Sequence, residues 1–263
     1  MIKVKIGRKG SVHPGFGHIV MALLGFSHLA HLKKVSLLIE DEEWSYGRWE
    51  EFFDAPQLSG KASSIEFYDC TMKDGDYGLS LWKRYIKEDS EFYLPYLCDL
   101  IKPKPGVITD ITEELALDSE FKSDYLSIHL RLGDKVQQHG MSLEIAALKL
   151  KDEIDKIGNT RNIFVMTDDY RGLLAFQNVL NDRINIVSNC PENYLGDPQR
   201  IRSADNLKLL LSEINFAVHS KYFIGTASAV SLIIYSLRRL KNKNGNKILG
   251  HSLPAYDFLR DVT

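Results

Sequence analysis

From Tyr125 to Leu240, short apolar runs alternate with longer segments of helical periodicity, and this rhythm constrains the fold more than any other feature of the chain. Tyr125–Leu130, Asn162–Met166, Ile184–Val187 and Tyr222–Gly225 read as strands, with Lys247–Leu249 as a short last one. Ser142–Ile157, Asp169–Leu180, Asn206–Val218 and Ser228–Leu240 read as helices between them, preceded by a helix near Ile108–Leu117. Strands separated by helices do not pair as hairpins, so the expected product is a parallel sheet covered on both faces.

The first hundred residues repeat the theme. Ile2–Ile6 alternates as a strand, His13–Gly17 turns, and Ile19–Leu32 carries apolar residues at helical spacing. Val35–Ile39 and Ile65–Asp69 follow as strands, and Tyr77–Leu100 reads as mainly helical. Lys102–Gly106, with prolines at 103 and 105, cannot continue a helix, and the domain boundary is placed there. The expectation is two α/β domains, 1–104 and 105–263, with room for about the last 15 residues to pack back on the first. In open sheets of this kind ligands sit at the carboxyl ends of strands.

Composition narrows the partners. The chain has 263 residues, 33 Lys+Arg against 35 Asp+Glu and a net charge of −2, which excludes disorder and a basic nucleic-acid tail. An anionic ligand therefore needs a local site. The basic run Arg238, Arg239, Lys241, Lys243 and Lys247 reads as a solvated helix C-terminus, not a nucleic-acid surface. Cys70, Cys98 and Cys190 lack metal-like or disulfide spacing, and no metal or cofactor is expected. Without a signal peptide, an Asn-x-Ser/Thr acceptor or a membrane span, the expected location is the cytoplasm.

Polar residues gather at three strand ends. Ser127–Leu130 runs into Arg131, Asp134 and Lys135; Phe164–Met166 runs into Thr167, Asp168 and Asp169; Phe223–Gly225 runs into Thr226, Ala227 and Ser228 at a helix start. An arginine at such an end can fork onto a phosphate, although a structural pair with Asp134 is the alternative. Asp168 or Asp169, and Ser228, can equally cap the helices that follow. With a small-residue turn whose amides open a helix, these three ends describe a nucleotide diphosphate pocket, and the turn at Gly15 and Gly17, beside His18, is either a tight turn alone or a second ligand contact.

These residues resemble those of the α1,6-fucosyltransferases, the core-glycan enzymes of animals and nodulation-factor enzymes of bacteria. The family's Gly-x-Gly turn is similar to Gly15-Phe16-Gly17, and its Leu-Ile-Leu-Glu strand to Leu37–Glu40. Its Trp-x-Tyr and Trp-Glu-x-x-Phe resemble Trp44–Tyr46 and Trp49–Phe53, and its Pro-x-Pro resembles Pro103 and Pro105. The most specific likeness is of His-x-Arg-Arg-x-Asp-Lys to His129–Lys135. Thr-Asp-Asp, Asp-Ile-x-Phe, Thr-x-Ser-Ser and a late His-Ser-Leu are similar to Thr167–Asp169, Glu213–Phe216, Thr226–Ala229 and His251–Leu253. Leu132, Ala229, Val230 and Glu213 depart from the family's Arg, Ser, Gln and Asp, and His139 stands where it has a catalytic Glu.

The resemblance implies the GT-B architecture, an α/β fold of two Rossmann-like domains facing across a cleft. The first would be acceptor-side and the second would bind the nucleotide sugar. It implies inverting, metal-independent transfer of a sugar to a glycan or glycoconjugate hydroxyl, with GDP-fucose as donor. A UDP-sugar such as UDP-xylose, or a non-catalytic nucleotide- or glycan-binding module, is the alternative. Arg131, with Ser228 and the amides around 227–229, is the expected stabiliser of the leaving diphosphate. His139 or a carboxylate of the loop Asp69–Asp76, Asp69 or Asp74, is the expected base. Gly15, Gly17, His18, His129, Asp134, Lys135, Thr167, Asp168, Asp169, Glu213, Thr226, Ala227, Ser228 and Ala229 are the expected binding residues.

Overall fold

The computed structural model describes residues 1–6, 15–40, 46–54, 65–70, 73–85, 90–131, 143–158, 160–180, 184–196, 203–226 and 228–249. The chain divides into two compact units. The first is built on Met1–Ile108 and also takes Arg202–Leu211; the second is built on Thr109–Ile201 and Ser212–His251.

In the first unit β1 (Ile2–Lys5) lies between β2 (Leu37–Glu40) and β3 (Glu66–Asp69), parallel to both. Helix α1 (Phe16–Lys33) starts earlier than its periodicity suggests, so Gly17 is helical and buried. Gly15 immediately precedes it in extended conformation, with φ −67°. From Ile19 to Ala30 every residue of α1 is buried, as expected of a helix apolar on all sides. Among the described residues no helix is long and apolar enough to cross a membrane.

Short α2 (Trp49–Phe52), α3 (Lys73–Tyr85) and α4 (Ser90–Leu100) complete the unit. Helices α1 and α3 meet backbone to backbone. A Cβ on Gly25 would collide with the Gly78 carbonyl oxygen, and one on Gly78 would lie 2.6 Å from Phe26 Cε2 and 2.9 Å from the Ala22 carbonyl oxygen. Gly25→Ala should therefore destabilise the protein by about 1–3 kcal/mol, read as a lower urea midpoint at unchanged slope. The proline segment is anchored: Phe53 bridges Pro103, the Lys104 amide donates to the Phe52 carbonyl at 2.8 Å, and Lys104 Nζ donates to the Glu50 carbonyl at 2.6 Å. The Trp-Glu-x-x-Phe and Pro-x-Pro motifs are thus two sides of one contact, packed under buried Trp49, Phe52 and Phe53.

The second unit begins with two single-turn helices, α5 (Ile111–Glu114) and α6 (Ser119–Ser123), capped by Asp110 and Asp118. Its sheet, in order β6-β5-β4-β7-β8, is parallel throughout: β4 (Leu126–Leu130), β5 (Asn162–Thr167), β6 (Asn185–Val187), β7 (Tyr222–Thr226) and β8 (Asn246–Leu249). The helices are α7 (Leu143–Ile157), α8 (Tyr170–Val179), α9 (Ala204–His219) and α10 (Ala229–Leu240). Every residue of central β4 is buried. Leu126, Ile128 and Leu130 join Ile163 and Val165 of β5, Ala147, Leu150 and Ile154 of α7, and Leu173 and Phe176 of α8 in one core. Ser127 and His129, alternating with them, point to the other face.

The basic run at the end of α10 is not wholly solvated. Arg238 is fully buried and donates to the carbonyls of Ala217 (3.1 Å), Ser220 (2.7 Å), Lys221 (3.1 Å) and Asn244 (3.2 Å), to Ser220 Oγ (2.9 Å) and to Asn246 Oδ1. It joins the C-terminus of α9, the entry to β7 and the loop before β8.

Candidate functional site

Parallel strands end on the same side of their sheet, so β5, β4 and β7, which are neighbours, bring Thr167–Asp169, Arg131 and Thr226 to one edge. The Arg131 amide donates to Thr226 Oγ1 at 2.8 Å, and that hydroxyl donates to the His129 carbonyl at 3.1 Å, extending the β4–β7 ladder by a side chain. The Arg131 guanidinium forms an ion pair through Nη1 with Asp168 across the two strands. Its sequence-expected alternative partner, Asp134, lies outside the described residues.

The two acids of Thr167-Asp168-Asp169 have different roles. Asp169 is the buried N-cap of α8: it accepts the Arg171 amide at 3.0 Å and is gripped by Arg171 Nε at 3.0 Å and Nη2 at 2.6 Å. The loop Pro191–Gly196 is stitched alongside, the Tyr170 amide donating to the Tyr194 carbonyl at 2.7 Å and the Gly196 amide to the Asp168 carbonyl at 3.0 Å. Thr167 Oγ1 accepts the Asp169 amide at 3.2 Å.

Ser228 is the N-cap of α10, its Oγ accepting the Ser231 amide at 3.1 Å. The same hydroxyl lies 3.2 Å from His129 Nδ1 and donates to Ser231 Oγ at 3.2 Å, while Ser231 Oγ is 2.7 Å from His129 Nδ1. With Ser228 donating to Ser231, the Ser231 proton goes to Nδ1, and the neutral imidazole keeps its own proton on Nε2. Burial, with the Arg131 charge nearby, pushes the His129 imidazole down to about 3. It is a neutral strut, not a proton carrier. Ser231 was not singled out in the sequence; the spacing Ser228-x-x-Ser231 is the signal that finds it.

Beside β5, the end of β6 presents Asn189 and Cys190 to Glu213 of α9. Burial, then the Glu114 charge, push the Glu213 carboxyl up to about 8, offset in part by the nearby Asn189 side chain. Burial, then the charges of Glu213 and Asp169, push the Cys190 thiol up to about 12.

The two titrations give stability opposite slopes. Below 6.5 an unfolded His129 binds a proton that the folded one refuses, so stability falls from 6.5 towards about 3 by about 1.4 kcal/mol per pH unit. Above 4.5 an unfolded Glu213 releases a proton that the folded one keeps, so stability falls from 4.5 towards about 8 at a similar rate. Between 4.5 and 6.5 the two slopes cancel. Urea melts across pH should show Glu213→Gln flattening the alkaline limb and His129→Asn the acid limb, relative to wild type.

In the first unit Gly15, Gly17 and His18 open α1, and Asp69 closes β3, half-buried, in register with Lys5. Asp74 falls in the first turn of α3, with its side chain outside the described residues, as are Asp134, Lys135, His139 and Ala227. Ala229 is the first helical residue of α10. Among the described residues no group of three or more His, Cys, Asp or Glu is placed to hold a metal ion.

No protein-family model matches the chain, and no curated protein does. Solved structures do. Fucosyltransferase NodZ from Bradyrhizobium superposes over 88% of this chain and 91% of its own, with TM-score 0.52 and 13% identity. Arabidopsis thaliana FUT1, solved as a mutant in complex with GDP, superposes over 90% of this chain and 68% of its own, with TM-score 0.50 and 9% identity. The fold is GT-B-like. Within this fold, the edge carrying Arg131, Asp168 and Thr226 is the carboxyl edge of one of its two parallel sheets.

Proposed function

We propose that the chain is an inverting, metal-independent glycosyltransferase that moves a sugar from a nucleotide diphosphate to a hydroxyl of a glycan acceptor, with GDP-fucose as donor. The observation that carries this reading is the single edge at which Arg131, Asp168 and Thr226 meet, next to the capped N-terminus of α10. The GDP in the FUT1 structure and the fucosyltransferase NodZ support the donor class. In the reaction the acceptor oxygen bonds to the anomeric carbon and the carbon–oxygen bond to the diphosphate breaks. The bonding pair leaves on the phosphate oxygen, and the acceptor proton passes to a base.

Arg131 neutralises the leaving diphosphate, assisted by the first amides of α10. Ser228 Oγ contributes through that helix end, because its own bonds go to Ser231 and His129. Glu213, protonated at neutral pH, offers both a donor and an acceptor to a base edge. Neutral His129 is no general base; His139, Asp69 and Asp74 are the candidates. A UDP-sugar such as UDP-xylose is the second reading, favoured by Leu132, Ala229, Val230 and Glu213 at positions where the resembled family differs.

Incubation with GDP-fucose and with UDP-xylose, without acceptor and with EDTA present, tests the reading. Slow release of free sugar from one donor supports it. No release from either, and no transfer to an oligosaccharide mixture, contradicts it.

A further inference from the structure

We propose that Asp168 is the resident counter-ion of Arg131, a positioning residue that holds the guanidinium until a diphosphate takes it over; this rests on reading the edge as the donor site. The sequence leaves Asp168 and Asp169 interchangeable, and the structure separates them. Asp169 commits both carboxylate oxygens to Arg171 and to the start of α8. Asp168 instead reaches across to Arg131, with side-chain exposures of 10% and 23%. Both charges lie largely out of water, where an ion pair weighs more than at the surface.

Their backbones are fixed from opposite sides. Thr226 Oγ1 accepts the Arg131 amide, and the Gly196 amide donates to the Asp168 carbonyl. What exchanges is therefore the pairing of the side chains and not the strands. A diphosphate that takes the guanidinium fork brings its negative charge against the Asp168 carboxylate. The carboxylate opposes every anion. A single phosphate gains too little from one guanidinium to displace it, whereas a diphosphate brings more charge. Asp168 thereby filters phosphates on entry and, by reclaiming Arg131, speeds departure of the nucleoside diphosphate.

Calorimetric titration of inorganic pyrophosphate, inorganic phosphate and GDP into full-length wild type, Asp168→Asn, Asp168→Ser and Asp168→Glu tests this. Asp168→Asn should bind pyrophosphate about tenfold more tightly, within the usual range of coupling between sites, and should gain measurable affinity for phosphate. Asp168→Ser, a second way to remove the charge, should shift in the same direction, and Asp168→Glu should return to wild type. In transfer assays Asp168→Asn should lower donor KM and kcat together, a split that a purely structural role does not produce. Pyrophosphate binding that both neutral variants leave unchanged or weaken overturns the exchange and leaves the donor-site reading standing. No binding of pyrophosphate or GDP by any of the four proteins overturns both.

Discussion

Arg131→Ala is expected to lower sugar transfer by roughly 10²–10³, the loss that follows removal of one preorganised donor from a developing charge. The expectation follows from placement. Arg131 stands at the end of the central, fully buried strand, and its amide is fixed by Thr226 Oγ1, so the backbone that carries the guanidinium is set before any ligand arrives. Removing it also leaves Asp168, 10% exposed, without this cation, which costs about 1–3 kcal/mol of stability. Arg131→Ala combined with Asp168→Asn should recover that stability and none of the activity. Arg131→Lys keeps the charge but not the fork, and should fall between. Steady-state kcat/KM alongside urea melts separates the two effects; full turnover in folded Arg131→Ala would remove the arginine from the mechanism.

Arg238→Leu is expected to have the largest effect on stability, about 3–5 kcal/mol, the range seen when a buried charged partner is removed. Leucine fills part of the volume but strands the carbonyls of Ala217, Ser220, Lys221 and Asn244 and the side chain of Asn246. Burial pushes the guanidinium down to about 10, which keeps it charged at neutral pH, so its stabilisation comes from carbonyl dipoles at the end of α9 and the start of β7. Arg239→Leu, the next residue in sequence and only half-buried, should cost far less. Equal urea midpoints for the two variants would contradict this assignment.

The strand–helix alternation from Tyr125 was legible because each segment carries a clean period. The structure moves most of those boundaries by only one or two residues. What periodicity missed is local. The helix expected near Ile108–Leu117 is one single turn, Ile111–Glu114, capped by Asp110, with a second turn capped by Asp118 just beyond it, each too short to show a period. The mainly helical stretch from Tyr77 to Leu100 is resolved as α3 and α4, α3 beginning at Lys73. Gly17 read as a turn because glycine favours turns, yet it lies inside α1, packed against its neighbours.

At the site, the sequence pointed to the three strand ends, because polar residues abruptly follow apolar runs. It did not assign roles within each end. Asp168 and Asp169 differ only in which way their side chains leave the strand, and that parity decides which one caps and which one meets Arg131. His129 was expected among the binding residues. It is buried because Ser228 and Ser231, about a hundred residues later, satisfy its Nδ1. Arg238 read as solvated for the same reason: its partners, the carbonyls of another helix end, leave no mark in local composition.

Thermal unfolding of wild type and Arg131→Ala in the presence of GDP tests the central claim most directly. At a ligand concentration of 100 times Kd, binding to the folded state alone adds about 2.7 kcal/mol. Wild type should gain a stabilisation of that order that Arg131→Ala loses. An equal gain in both proteins, or none in either, would contradict a nucleoside diphosphate site built on Arg131.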